Sequence, residues 1–294
     1  MGHTMSARDL VKGLSWNIGT TKVTSIVEQD LWWRIARFLP DAKPDLVASI
    51  PWIQQFLDDD PEIFPLRIQA FVVDTGDHVA LVDTCVGNNK DRDFWSFNQL
   101  STTFLDDLAA VGYPQESIDS VVCTHLHVDH VGWNTRLVDG TWVPTFPSAR
   151  YLFGAEEYDY WAAETDDLTM ATFADSIEPI FNAGLADLVA SNHAIAEGIS
   201  LQPTAGHTPG HVSVAIESSG ERAVIIGDMS HHPIQLQKPE IFSTADVDRA
   251  KATETRRKRF AEWESDSVLV IGTHFAPPTA GHLRAEHGGW RLIS

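Results

Sequence analysis

A layered α/β protein is the fold class this sequence predicts, and three observations predict it. Apolar runs of strand length fall into two sets, each accompanied by segments of helical spacing. The side chains best suited to hold a ligand follow the ends of four such runs. The chain has 294 residues and 43% apolar content, enough for one large globular domain or two small ones.

The elements follow in order. Residues 14–27 alternate and predict strands around a turn at Asn17 to Thr20. Residues 28–66 differ. They carry Trp32, Trp33, Phe38, Trp52, Phe56 and Phe64 between Pro40, Pro44, Pro51, Pro61 and Pro65. So many prolines exclude a long helix or a central strand and predict an irregular aromatic arm with one or two short helical turns. Residues 1–66 are therefore expected to be N-terminal strands and an arm packed on a core of residues 67–294, a single domain overall. Ile68 to Asp74 and His78 to Asp83 read as a hairpin through Thr75-Gly76-Asp77. Phe94 to Val111 has helical spacing, and Ile118 to Cys123 is a short buried strand. Gly132-Trp133-Asn134 reads as a helix start. Ala149 to Phe153 is a strand, with a helix from Ala155. Residues 166–182 are helical and stop at Asn182-Ala183-Gly184. Strands follow at 185–190, 199–203, 211–217 and 222–227, then a charged helix at 246–264. Val268 to Ile271 is the next strand, and 280–284 pairs with 290–293.

The net charge is −20, which repels phosphate backbones and anionic lipid and predicts no nucleic-acid or membrane partner. No apolar run approaches the ~18–20 residues that span a bilayer. Met1 to Met5 lack the features of a signal peptide, so a cytoplasmic location is expected. The two cysteines, Cys85 and Cys123, lie in apolar contexts without C-x-x-C spacing and are expected to be buried free thiols.

The chemistry concentrates in Thr124-His125-Leu126-His127-Val128-Asp129-His130. Three imidazoles and a carboxylate in six residues are ligands of the kind zinc accepts, and so tight a turn can present alternate side chains to two ions. Three later segments supply more ligands. His207 lies in Ala205-Gly206-His207-Thr208-Pro209-Gly210-His211, where glycines let the backbone bend. Asp228 follows the apolar run Ala223 to Ile226, and His274 follows Leu269 to Thr273. His3, His78, His193, His282 and His287 read as structural or surface residues.

The H-x-H-x-D-H segment with these three downstream ligands resembles the metallo-β-lactamase superfamily over roughly residues 67–285. The resemblance implies a four-layer αβ/βα sandwich with a dinuclear site between the sheets. It implies that His125, His127 and His207 hold one divalent ion, that Asp129, His130 and His274 hold the other, and that Asp228 bridges them. Asp83, in Leu81-Val82-Asp83-Thr84, matches an aspartate that orients the histidine loop. Zinc is the expected metal, with manganese, iron and cobalt also compatible. Two such ions share a water and lower its pKa toward ~7, so the expected reaction is hydrolysis by a bridging hydroxide that Asp129 orients.

The bridging aspartate separates this chain from true β-lactamases, which usually carry cysteine or serine there. Among the remaining branches, glyoxalase II has a C-terminal extension, whereas this chain stops shortly after its last ligand. The resemblance therefore favours a lactone or ester with hydrophobic substituents, of the quorum-quenching lactonase type. A phosphotriesterase of the methyl parathion hydrolase type is the first alternative, and a mononuclear-iron thiol dioxygenase the second. The lactonases place a tyrosine three residues after the bridging aspartate. Here His231 stands there, in Met229-Ser230-His231-His232-Pro233, so His231 or His232 is the candidate hydrogen-bond donor to substrate. The aromatic arm could line the substrate pocket, with Trp133 as a wall, or form a homodimer interface through residues 28–66.

Overall fold

Parallel strands end on one edge of a sheet, and this chain places two groups of parallel strands so that their carboxyl ends meet. The computed structural model describes residues 13–294. Expectations for His3 and for the start at Met1 to Met5 fall outside those residues. The first sheet has the order β1 (Ser15–Ile18), β2 (Thr21–Arg34), β3 (Ile63–Asp74), β4 (Val79–Val82), β5 (Ser120–Val122), β8 (Arg150–Gly154) and β9 (Ala186–Val189). The hairpin of β6 (Thr135–Val138) and β7 (Thr141–Pro144) stands apart from it. The second sheet runs β10 (Ala194–Ala196), β11 (Ile199–Pro203), β12 (Val212–Ser218), β13 (Glu221–Ile225), β14 (Leu269–Ile271), β15 (Ala280–Glu286) and β16 (Gly289–Ile293). Strands β4, β5, β8 and β9 are parallel, as are β13 and β14. β11 and β13 both run antiparallel to β12, so they point the same way.

Pleat alternation sorts the core into layers. Phe71, Val73, Ala80, Val82 and Val122 of the first sheet pack against Val212, Val214, Ile216, Ile225 and Ile271 of the second. The residues between them, such as Val72, Leu81 and Val121, face outward to helix residues Phe104, Leu108, Ile177 and Ile180. On the far side, Val224 and Val270 pack on Phe260 and Trp263 of the helix Arg249–Ser265. This is the expected αβ/βα sandwich. Among the described residues no helix is long and apolar enough to cross a membrane. Cys85 and Cys123 are free and buried.

Several elements depart from expectation. The arm is shorter and more regular: β2 continues through Trp32 and Trp33 to Arg34, and β3 begins at Ile63, so a boundary at residue 66 cuts a strand. Pro65 is tolerated because β3 pairs there with β2 alone, at Trp32, while β4 joins β3 only from Phe71 onward. Between the strands lie three short helical segments, Ile35–Phe38, Pro44–Ala48 and Pro51–Phe56. The helix expected over 94–111 is limited to Phe104–Ala110. Upstream, the Asn88 side chain bonds both backbone groups of Thr102, Asn98 caps the Arg92 N–H, and Gln99 has φ 49°. Such local side-chain bonds compete with helix formation. Gly132–Asn134 is a single 3-10 turn. The helical run from Asp167 to Asn182 contains a π-turn at Phe173–Ile177.

Candidate metal centre

All the ligand-type side chains picked out above sit just past strand ends on the shared edge. His125 to His130 follow β5, His207 follows β11, Asp228 follows β13 and His274 follows β14. The loop after β4 shapes the histidine segment. Asp83 takes a left-handed backbone (φ 58°) and accepts from the Thr124 N–H at 2.8 Å and the Thr124 hydroxyl at 2.9 Å. It also lies 2.9 Å from His130 Nδ1. Thr84 and Trp133 lock the two loops by backbone bonds, and Gly132 is required, since a Cβ there would fall 1.7 Å from the Val86 carbonyl oxygen. A β-bulge after Val27 frees Glu28 from the sheet register. Its carboxylate accepts from Val86 N, Gly87 N and Trp133 Nε1. Burial pushes the Glu28 carboxyl up to about 7.

Each later ligand has its own brace. His207 Nδ1 is 3.0 Å from Asp246 Oδ1, and Asp246 is itself held by the buried Arg256. His274 Nδ1 donates to the Arg67 carbonyl at 2.7 Å. Gly227 (φ 54°) lets the Asp228 N–H reach His211 Nε2 at 2.9 Å; a Cβ on Gly227 would lie 2.6 Å from that nitrogen. Glu157, buried at the start of the helix after β8, ties two ligand loops together. Its Oε1 accepts from Leu126 N and Trp161 Nε1, and its Oε2 from Thr208 Oγ1 and Gly210 N. Outer hydrogen bonds of this kind fix imidazole orientation and tautomer at metal sites.

The ligand-type atoms fall into two groups. His125, His127, His207 and Asp228 form one, and Asp129, His130 and His274 the other. In the first, His127 Nδ1 lies 2.9 Å from His125 Nε2 and 3.0 Å from His207 Nε2. Asp228 divides its oxygens between the groups. Oδ2 is 3.6 Å from His125 Nε2 and 3.3 Å from His207 Nε2, while Oδ1 is 3.3 Å from His130 Nε2 and 2.9 Å from His274 Nε2. Asp129 reaches within 3.8 Å of both His130 Nε2 and His274 Nε2.

These spacings fit cations. Ligands at about 2.0–2.1 Å from a tetrahedral ion stand about 3.3 Å apart, near most of the spacings observed. Among the described residues, His130 Nε2 and Asp228 Oδ1 are buried with no hydrogen-bond partner, although each has close polar neighbours. Atoms that approach one another without hydrogen-bond geometry are what a shared ion requires of its ligands. Charge points the same way. Burial and neighbouring imidazoles keep His125 and His127 well below the usual histidine range, so their lone pairs are open. Burial opposes charge on His130, His207 and His274, yet Asp228 and adjacent carboxylates outweigh it; His207 is pushed up to about 9. Burial also opposes charge on Asp228, but the ring of imidazoles holds it ionised. Protons and cations therefore compete for the same nitrogens.

The two histidines after Asp228 separate. His231 joins the cluster: Nε2 lies 3.1 Å from Asp228 Oδ2, and the ring stacks on His274 at an interplanar angle of 6°. His232 does not. Its Nε2 donates to the Phe56 carbonyl and its Nδ1 accepts from Ile234 N, which leaves no ring nitrogen for substrate. Its role is to hold the arm. Trp133 is buried on Phe104 and hydrogen-bonded to Glu28, so it braces the loop. Glu28, Glu157, His211 and Asp246 were not anticipated. His211 stands in the glycine-rich segment already noted; the three carboxylates carry no local sequence signal.

The metallo-beta-lactamase superfamily domain matches residues 63–285. The chain belongs to the metallo-beta-lactamase superfamily. An N-acyl homoserine lactonase from a Bacillus species is 23% identical over 221 residues, 71% of this chain and 82% of that protein. Further N-acyl homoserine lactonases, from Bacillus thuringiensis, match over 58% of their own length. Among solved structures, a hydrolase named AbOPH superposes with a TM-score of 0.80 at 26% identity, covering 97% of this chain and 99% of that one. AidC, a dizinc quorum-quenching lactonase, superposes at 0.78 with 19% identity over 97% and 98%, a likeness of fold. Metal-dependent hydrolase is the activity class this superfamily member shares with its relatives.

Proposed function

We propose that this chain is a dinuclear metal hydrolase of lactones or esters carrying hydrophobic substituents, with zinc as the metal. The observation that carries the proposal is the Asp228 carboxylate, which turns one oxygen to each group of ligand atoms. His125, His127 and His207 would hold one ion and Asp129, His130 and His274 the other. When bound, such a pair polarises a carbonyl and makes a water nucleophilic near neutral pH. The chain's own residues do the rest. Asp129, more exposed than His130 and His274 beside it, would orient the attacking water and move its proton. Burial keeps His231 below the usual histidine range, so it is neutral and serves as a hydrogen-bond donor to Asp228 Oδ2.

The hydrophobic preference rests on a run of rings leading away from the centre. Phe38 packs edge-on to His231 at 4.8 Å, Trp33 on Phe38 at 5.4 Å, and the exposed Phe94 on Trp33 at 5.5 Å. Such a wall suits an acyl chain. The names of the lactonase relatives support the same class. The test is a hydrolysis panel on zinc-loaded protein: N-acyl homoserine lactones, simple γ- and δ-lactones, aryl esters, a paraoxon-like triester and a cephalosporin. Lactones and esters should lead. A lead by the triester or the cephalosporin, or one iron per chain with oxygen uptake, overturns the proposal.

A further inference from the structure

His211 is buried beside the centre, its ring 5.2 Å from that of His125 and 5.9 Å from that of His207, yet it stands in neither group of ligand atoms. Both of its nitrogens are engaged. Nε2 lies 2.9 Å from the Asp228 main-chain nitrogen, and Nδ1 lies 2.9 Å from Thr204 Oγ1. Thr204 Oγ1 is in turn 3.0 Å from Ser213 Oγ, which donates to the Ile226 carbonyl at 3.2 Å. Thr204, Ser213 and Ile226 are buried as well. Strand register assembles the cluster. Pairing of Pro203 with Val212 between β11 and β12 sets Thr204 opposite His211, and the Thr204 N–H donates to the His211 carbonyl at 3.0 Å. His211 and Ser213, two residues apart, share a face.

Every hydrogen along this path has one possible direction. The Asp228 main-chain nitrogen can only donate, so His211 Nε2 is a lone pair. Nδ1 then carries the ring hydrogen and donates it to Thr204 Oγ1. The Ile226 carbonyl can only accept, so it takes the single hydroxyl hydrogen of Ser213, and Ser213 Oγ accepts that of Thr204. His211 keeps no lone pair for an ion.

The path closes on itself around Gly227. It holds the Ile226 carbonyl on one side and the Asp228 N–H on the other, the two peptide groups that flank this glycine. Gly227 has φ 54°, and a Cβ there would lie 2.6 Å from His211 Nε2. The position therefore requires glycine, which is also the residue with the freest backbone. Asp228 hangs from that free point and has to turn one oxygen to each ligand group.

We infer that His211, Thr204 and Ser213 form a hydrogen-bond relay of fixed direction that clamps the main chain at Gly227 and so sets the reach of the Asp228 carboxylate. His211 is then a positioning residue for the bridge, neither a ligand nor a base. The inference rests on the two-ion reading above. It gives Thr204, whose hydroxyl bonds run to His211 and Ser213, control of metal affinity through the imidazole.

The test follows zinc affinity, by competition with a chelator, and the absorption spectrum of cobalt-loaded protein, which reports the arrangement of ligand atoms. His211→Phe keeps a ring and loses both bonds. It should weaken the more loosely held zinc by about 10–100-fold and change the cobalt spectrum. His211→Gln, whose amide offers both an acceptor and a donor, should recover most of the affinity. Thr204→Val strands the ring N–H and should weaken the same zinc by about tenfold. In the double variant His211→Phe, Thr204→Val the loss should equal that of His211→Phe alone, because Thr204 acts through the ring. A network that only supports the strands predicts a lower melting point with zinc affinity and cobalt spectrum as in wild type, and that result overturns the inference. Additive losses in the double variant overturn it too. If His211→Phe fails to fold, the affinities of Thr204→Val and His211→Gln decide. If wild type binds a single zinc, the two-ion reading fails, and the affinity of that one ion in the same variants decides the relay, since Asp228 also stands in the first ligand group.

Discussion

Replacing Glu157 with glutamine tests whether the ligand loops are held by a single buried carboxylate. Glu157 accepts four hydrogen bonds, two on each oxygen, at 2.7 to 3.1 Å. Glutamine keeps one acceptor oxygen and turns an NH2 toward two of the donors. Two donors are then left unpaired in a buried site, at about 1–3 kcal/mol each, or about 2–6 kcal/mol together. Part of this is offset, since burial already raises the Glu157 carboxyl and the neutral amide escapes that penalty. At about 2–4 °C per kcal/mol, the melting point should drop by about 5–15 °C. The Leu126 side of the carboxylate steadies His125 and His127, and the Thr208 side steadies His207. Zinc affinity, measured by competition with a chelator, should therefore fall by about 10–100-fold. A variant that melts within 1 °C of wild type and holds zinc as tightly would refute this assignment.

Other expectations follow from the same contacts. Glu28 keeps a proton in the folded state up to about pH 7 that the unfolded chain releases near its ordinary 4.5. Stability should therefore fall as pH rises through that window, by up to about 3 kcal/mol, and Glu28→Gln should flatten the slope; urea midpoints at several pH values check it. An unchanged slope would contradict the role given to Glu28. His231→Leu removes the donor to Asp228 Oδ2 and should lower kcat/KM about tenfold or more with the fold intact. His232→Phe loses its two backbone bonds and should lower the melting point while kcat stays near wild type. Finding the two effects exchanged would reverse their assignment.

How much of this was legible in the sequence depends on how local each signal is. His125, His127, Asp129 and His130 stood out because chance rarely sets three imidazoles in six residues after an apolar run. Asp228 and His274 were readable because a strand and a glycine precede each. The arm was misjudged, because prolines count against a strand only where the strand is paired on both sides; β3 at Pro65 is paired on one. The helix over 94–103 was lost to side chains of Asn88 and Asn98, whose bonds no periodicity reveals. Glu28, Glu157 and Asp246 act through contacts tens of residues away. Each is one acidic residue among 41, and only the folded chain shows which loops they hold. His231 and His232 are identical neighbours in sequence, and only their hydrogen bonds tell them apart.

Metal stoichiometry of zinc-loaded wild type beside Asp228→Asn tests the central claim most directly. Two zinc ions per chain are predicted for wild type, falling toward one in Asp228→Asn with loss of hydrolysis, because one amide nitrogen cannot replace a carboxylate oxygen as a ligand. One ion or none in wild type, or an Asp228→Asn variant that keeps two ions and the full rate, would contradict it.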